Sequence, residues 1–160
     1  MFLYMARVAS AAVLASALIF SSSAGTKADS EDGIVKVKSA YSTSETIARL
    51  KKDIADKGIM FFSEIDQSKL AADAGIKLRP STLLVFGNPP LGTLFLTSNP
   101  ASGLDWPVRL LVVEDEKSDV WALYTDFVWI ARRYGIKDRD AEFKKAMEVI
   151  TSITSSVRAK

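Results

Sequence analysis

The chain has no cysteine and no histidine among its 160 residues. Without cysteine there is no thiolate nucleophile, no disulfide, no Fe–S ligation and no lipid carried on an N-terminal cysteine. Without histidine there is no imidazole general base and none of the usual nitrogen ligands for zinc, copper or haem. Most hydrolase and metalloenzyme arrangements fail on these two absences, which leave carboxylate, lysine, tyrosine or serine chemistry, or none. No cofactor and no metal are expected. Net charge is scarce as well. The formal +2 includes Arg7, so only +1 remains from Gly25 onward, and no basic face or stripe of the kind nucleic acid requires is visible. Long apolar runs are missing too. The one at residues 8–20 has 13 residues, short of the ~20 that a spanning helix needs.

That run follows Arg7 and precedes the small-residue tract 21–24, the layout of a secretory signal peptide at residues 1–24. Cleavage is expected after Ala24, with Ala28 as the alternative, leaving residues 25–32 as a polar leader. The product would be exported, periplasmic or secreted, with no stable membrane insertion once the signal is removed. With 48% apolar and 25% charged residues the chain has an ordinary globular composition. Residues 33–158 form one domain, long enough to bury a core without disulfides.

Residues 33–41 alternate, with Ile34, Lys36 and Lys38 opposed to Val35, Val37 and Ser39, which predicts a strand with one wet face. Ser42 and Glu45 have capping-box spacing, and Ile47, Leu50 and Ile54 follow at helical spacing, so a helix is expected over 43–57, closed by Gly58. Residues 59–65 form an apolar run too short for a helix, a second strand. Asp66 caps a short helix at 67–74, ended by Gly75. Residues 82–86 make a third strand that reads as buried on nearly both faces.

All five prolines fall between Pro80 and Pro107. Residues 87–107 are therefore expected to be a long connection with room for a short helix at 91–97, and loops of that length are often functional. Strands at 109–113 and 120–124 form a hairpin about a polar turn. Asp126 caps a helix at 127–134 closed by Gly135, and a last helix from Asp138 puts Phe143, Ala146, Met147, Ile150, Ile153 and Val157 on one face. The order β-α-β-α-β-loop-β-β-α-α gives an α+β single domain, a mostly antiparallel sheet with helices on one face.

Ile65-Asp66, then Ala72-x-Ala74-Gly75-Ile76-x-Leu78-Arg79-Pro80 running through Leu83-Leu84-Val85-Phe86-Gly87-Asn88-Pro89, resembles the bacterial "domain of unknown function 302" family. So do Leu91-Gly92-Thr93, Asn99-Pro100, Gly103-Leu104-Asp105, Pro107-x-x-Leu110-Leu111-Val112 and Trp121-x-x-Tyr124. The resemblance covers residues 33–157 and implies a TATA-binding-protein-like α+β fold and a homodimer. A shared fold says nothing of DNA binding. Gln67 and Tyr134 stand where many members carry histidine, so any histidine chemistry elsewhere in the family is closed to this chain.

Two candidate clusters lie in the proline-rich stretch. Gly87-Asn88-Pro89-Pro90-Leu91-Gly92 has the two glycines of a phosphate loop, but Thr93 stands where lysine is needed, so the spacing describes a tight strand exit or a ligand loop rather than a nucleotide site. Asn99, Asp105 and Trp106 would join Asn88 in a mostly apolar pocket. The plainer reading has Asp105 bonding loop amides and Trp106 shielding the hairpin, with Trp121 and Trp129 as core or interface aromatics. Glu114, Asp115, Glu116 and Asp119 lack EF-hand spacing and read as a solvated turn. Asp66 and Asp126 are helix caps unless the fold joins them into an acid/base pair. The preferred reading is a non-enzymatic module for a small or apolar ligand or a partner, built on Asn88, Asn99, Asp105 and Trp106. The alternatives are a carboxylate enzyme using Asp66, Asp105 or Asp126, with Arg79 or Arg109 holding an anion, and a self-associating scaffold.

Overall fold

The structure is a computed structural model that describes residues 32–159; the expected signal peptide and all but the end of the expected leader lie outside them. Five strands make one sheet, β1 (Ile34–Lys38), β2 (Met60–Asp66), β3 (Ser81–Gly87), β4 (Val108–Glu114) and β5 (Val120–Thr125). Their order is β1-β5-β4-β3-β2, every pair antiparallel. The helices are α1 (Thr43–Asp56), α2 (Gln67–Asp73), α3 (Pro89–Ser98), α4 (Phe127–Tyr134) and α5 (Asp140–Ser155), with a 3₁₀ turn at Pro100–Leu104. This is the α+β class expected from the residue pattern.

Strand alternation sorts the two faces. Val37, Ala122, Val112 and Thr82 lie in one cross-strand row, and Val35, Tyr124, Leu110 and Leu84 in the next. These rows bury against Leu50 and Ile54 of α1 and Ile150 and Ile153 of α5. The opposite face carries the row Lys36, Leu123, Leu111, Leu83 and Ile65, whose side chains are not part of the core.

Local chemistry sets the ends. Ser42 accepts from Glu45 N at the start of α1, Asp66 from Lys69 N at α2, and Asp126 from Val128 N at α4. Gly58, Gly75 and Gly135 follow their helices with φ of 63°, 74° and 62°, the left-handed region that ends a helix most cheaply with glycine.

The expected long connection is a correction: the short helix allowed at 91–97 is there but longer, and little of the connection is irregular. Residues 89–98 are helical, and residues 100–104 form the 3₁₀ turn. Asn88 is the N-cap, its side chain accepting from Leu91 N at 3.1 Å, and Pro89 and Pro90 occupy the first two helical positions, where a missing N–H costs nothing. Prolines read as loop markers are here a helix start.

Candidate functional site

Between the ends of β3 and β4 and the helices α3 and α5 lies a cavity of about 530 Å³. Phe86 and Val108 form its floor, Leu91, Gly92 and Phe95 of α3 one wall, and Ala146, Val149 and Ile150 of α5 another. Trp106, Phe127 and Ile59 close the sides, while Asn88, Lys57, Lys145, Glu148 and Ser152 also line it. Phe95 stacks on Phe143 at 4.1 Å between ring centres, which fixes α3 to α5 and holds the two walls at their spacing.

Both glycines of the 87–92 loop are explained by Trp106. A Cβ on Gly87 would lie 3.2 Å from the indole Nε1, and one on Gly92 would overlap Nε1, Cε2 and Cδ1 outright. Neither glycine has a positive φ. They are small because the indole lies on them, and no phosphate cradle is involved.

Of the six polar or aromatic candidates named from the sequence, Asn88 and Trp106 line this cavity and the other four do not. Asn99 accepts from Ala101 N at 3.0 Å and donates through Nδ2 to Tyr134 O at 2.8 Å, tying the 3₁₀ turn to α4. The Asp105 side chain is 5% exposed. It accepts from Arg109 Nη2 at 2.8 Å, Tyr134 Oη at 2.6 Å and Arg133 Nη1 at 3.2 Å. It therefore braces side chains from β4 and α4, where loop amides were expected to be its partners. As the acceptor of that hydrogen bond, Asp105 holds the Tyr134 hydroxyl above the usual tyrosine value, and burial pushes the same way, so Tyr134 acts as a donor. Arg109 also donates to Leu104 O at 2.7 Å.

Asp126, 9% exposed, follows β5 and caps α4, which sets Phe127 into the cavity wall. Asp66 lies at the other end of the sheet. β2 runs from Met60, opposite Gly87, to Asp66, opposite Thr82, and that length of strand separates Asp66 from the cavity end by roughly 20 Å. The Lys69 N–H and then the Ser68 hydroxyl hold the Asp66 carboxyl below the usual carboxylate range, so it stays ionised at neutral pH. Asp66 and Asp126 are not brought together as an acid/base pair. In the 114–119 turn, Asp115 accepts from Trp121 Nε1 at 2.9 Å and from Lys117 N and Asp119 N, and Asp119 pairs with Lys38. Among the described residues no group of three or more acidic side chains is placed to hold a metal.

The sequence reading missed the cavity's apolar walls. Leu91 and Phe95 are four apart on α3 and face the same way, but PPLGTLFLTS is apolar on nearly every side and shows no helical period.

Residues 35–154 match the family described as domain of unknown function DUF302. The chain belongs to the DUF302 family. The crystal structure of an uncharacterized conserved DUF302 protein from Bacillus stearothermophilus superposes with a TM-score of 0.71, covering 79% of this chain and 98% of that one, at 15% identity. It shows the shared fold. Two curated relatives are 36% identical over 106 residues, 66% of this chain. They are the fluoride-specific ion channel FluC 1 of Brucella suis, of which 42% is covered, and FluC 2 of Brucella melitensis, of which 39% is covered. The matched stretch thus spans about two-fifths of each. Among the described residues no helix is long and apolar enough to cross a membrane.

Proposed function

We propose that this DUF302 chain is an exported, non-enzymatic binding module that holds a small apolar molecule between β3, α3 and α5. The observation that carries this is the cavity of about 530 Å³ walled by Phe86, Leu91, Phe95, Val108, Phe127 and Ile150. Small-molecule sites run from roughly 300 to 1,000 Å³, mostly apolar with a few polar groups. Each buried methylene contributes about 0.8 kcal/mol, so a chain of several methylenes offsets the cost of association, on the order of 4–15 kcal/mol. The carboxylates considered for catalysis are engaged in caps and braces and none of them lines the cavity, which speaks for binding over turnover. The Brucella proteins carry the name of a fluoride channel over lengths this chain does not reach, and channel activity is not extended to it. Export rests on the signal peptide read from residues 1–24.

A second copy of the chain is the proposed partner for the uncovered sheet face. Leu123, Leu111, Leu83 and Ile65 form an apolar row there, and Ile65 is 37% exposed. A five-stranded face about 24 Å wide and 20 Å long gives roughly 1,000 Å² over two copies, at the lower bound for a specific interface.

The cavity is tested by replacing Ala146, a buried wall residue, with tryptophan. The neutral fluorophore 1-N-phenylnaphthylamine is expected to bind the native protein and to lose at least tenfold in affinity in Ala146→Trp, with far-UV circular dichroism unchanged. Val149→Phe, at a less buried wall position, serves if the first variant does not fold. Equal binding by native and filled proteins would place the probe elsewhere and end the cavity reading.

A further inference from the structure

The polar groups of the cavity differ from its walls in a consistent way. Lys57 and Lys145 line it from the end of α1 and from α5, and among the described residues neither ammonium has an ion-pair or hydrogen-bond partner. Asn88 uses its Oδ1 to accept from Leu91 N, so its Nδ2 remains as a donor. Trp106 lines the cavity without giving its Nε1–H to another described residue. Every one of these groups is a hydrogen-bond donor with no acceptor among the described residues. Glu148 is the one carboxylate on the lining. Lys51 pairs with Glu64 and Lys52 with Asp56; what sets Lys57 and Lys145 apart from the other lysines is their place on the lining of an apolar cavity.

The N-terminus of α3 adds no free amide. Pro89 and Pro90 have no N–H, and those of Leu91 and Gly92 are taken by Asn88. An anionic group at this mouth would therefore be held by side chains. Lysine suits it as a flexible point charge without a fixed bidentate geometry.

Building on the apolar-ligand reading, we infer that the ligand is an amphipathic anion, a carboxylate or equivalent acid with an alkyl or aromatic body. The body lies against Phe86, Leu91, Phe95 and Ile150, and the head sits at the mouth between Lys57 and Lys145. The cavity of about 530 Å³ has room for roughly 15–20 non-hydrogen atoms at the ~30 Å³ share of a water molecule. A ten-carbon acid fits within it. Both lysines are solvent-exposed, so their attraction is screened, and the gain over a neutral ligand is about five- to tenfold.

The test is isothermal titration with decanoate, 1-decanol and decyltrimethylammonium, using the purified protein, Glu148→Gln and the double variant Lys57→Gln/Lys145→Gln. Decanoate is expected to bind about five- to tenfold tighter than decanol, and this preference should vanish in the lysine double variant and in 0.5 M NaCl while decanol affinity holds. Glu148→Gln should tighten decanoate by about twofold. Equal binding of decanoate and decanol, or a preference for the cation, would overturn the anion assignment and leave the apolar cavity standing. Binding of none of the three would overturn both.

Discussion

Gly92→Ala should lower the melting temperature by roughly 5–15 °C, the shift that an overpacking cost of ~1–3 kcal/mol produces in a domain of this size. By helix propensity alone the change should stabilise α3 by about 1 kcal/mol, since alanine is the best and glycine a poor helix residue. The added methyl decides the sign, because it would occupy the space of the Trp106 indole. Trp106 must then leave the cavity wall, taking its edge-on contact with Phe62, at 6.3 Å between centres, with it. In a Trp106→Ala background the same Gly92→Ala change is expected to become stabilising. Thermal unfolding of the four proteins of this cycle measures the coupling directly. A Gly92→Ala effect that stays destabilising without the indole would show that α3 needs glycine for another reason.

Asp105→Ala is expected to cost about 2–4 kcal/mol, because hydrogen bonds to a charged partner contribute about 1.5–3 kcal/mol each, discounted here for the solvent exposure of both arginines. The carboxylate is 5% exposed while Arg109 and Arg133 are 50% and 46% exposed, so the arginines regain water on truncation. Tyr134 loses the acceptor of its 2.6 Å bond. Tyr134→Phe should cost less alone, and very little further once Asp105 is gone. Urea unfolding of both single variants and the double variant reads this out. If Asp105→Ala left stability unchanged, the carboxylate would not be a brace and its catalytic reading would regain weight.

The fold was largely legible because most elements announce themselves by local rules. The 127–134 helix shows its cap Asp126 and its terminator Gly135, and the last helix has its buried face at Phe143, Ala146, Ile150 and Ile153. Only a short helix at 91–97 was legible where residues 89–98 are helical, and the cause is local: proline is ambiguous, and an all-round apolar helix has no period to detect. The site was legible only in part. Asn88 and Trp106 stood out as unusual residues in a polar-aromatic loop, and both line the cavity. Asn99 and Asp105 stood out by the same rule, and the structure gives them a cap and a brace, while Asp66 and Asp126 are the helix caps their positions announced. A polar residue in a turn looks alike in sequence whether it holds a ligand or a neighbouring helix. The cavity itself is a gap between Phe86, Phe95 and Ile150, residues from three separate elements. Phe86 and Ile150 read correctly as core, Phe95 fell within the expected connection, and only tertiary placement shows that the three do not fill the space between them.

The most direct measurement is the native mass spectrum of the protein isolated from its own cells without detergent. A ligand held in this cavity predicts a polypeptide carrying a small-molecule mass that leaves on denaturation and is missing from Ala146→Trp. Polypeptide alone in the native protein, or a bound mass that survives Ala146→Trp, would contradict it.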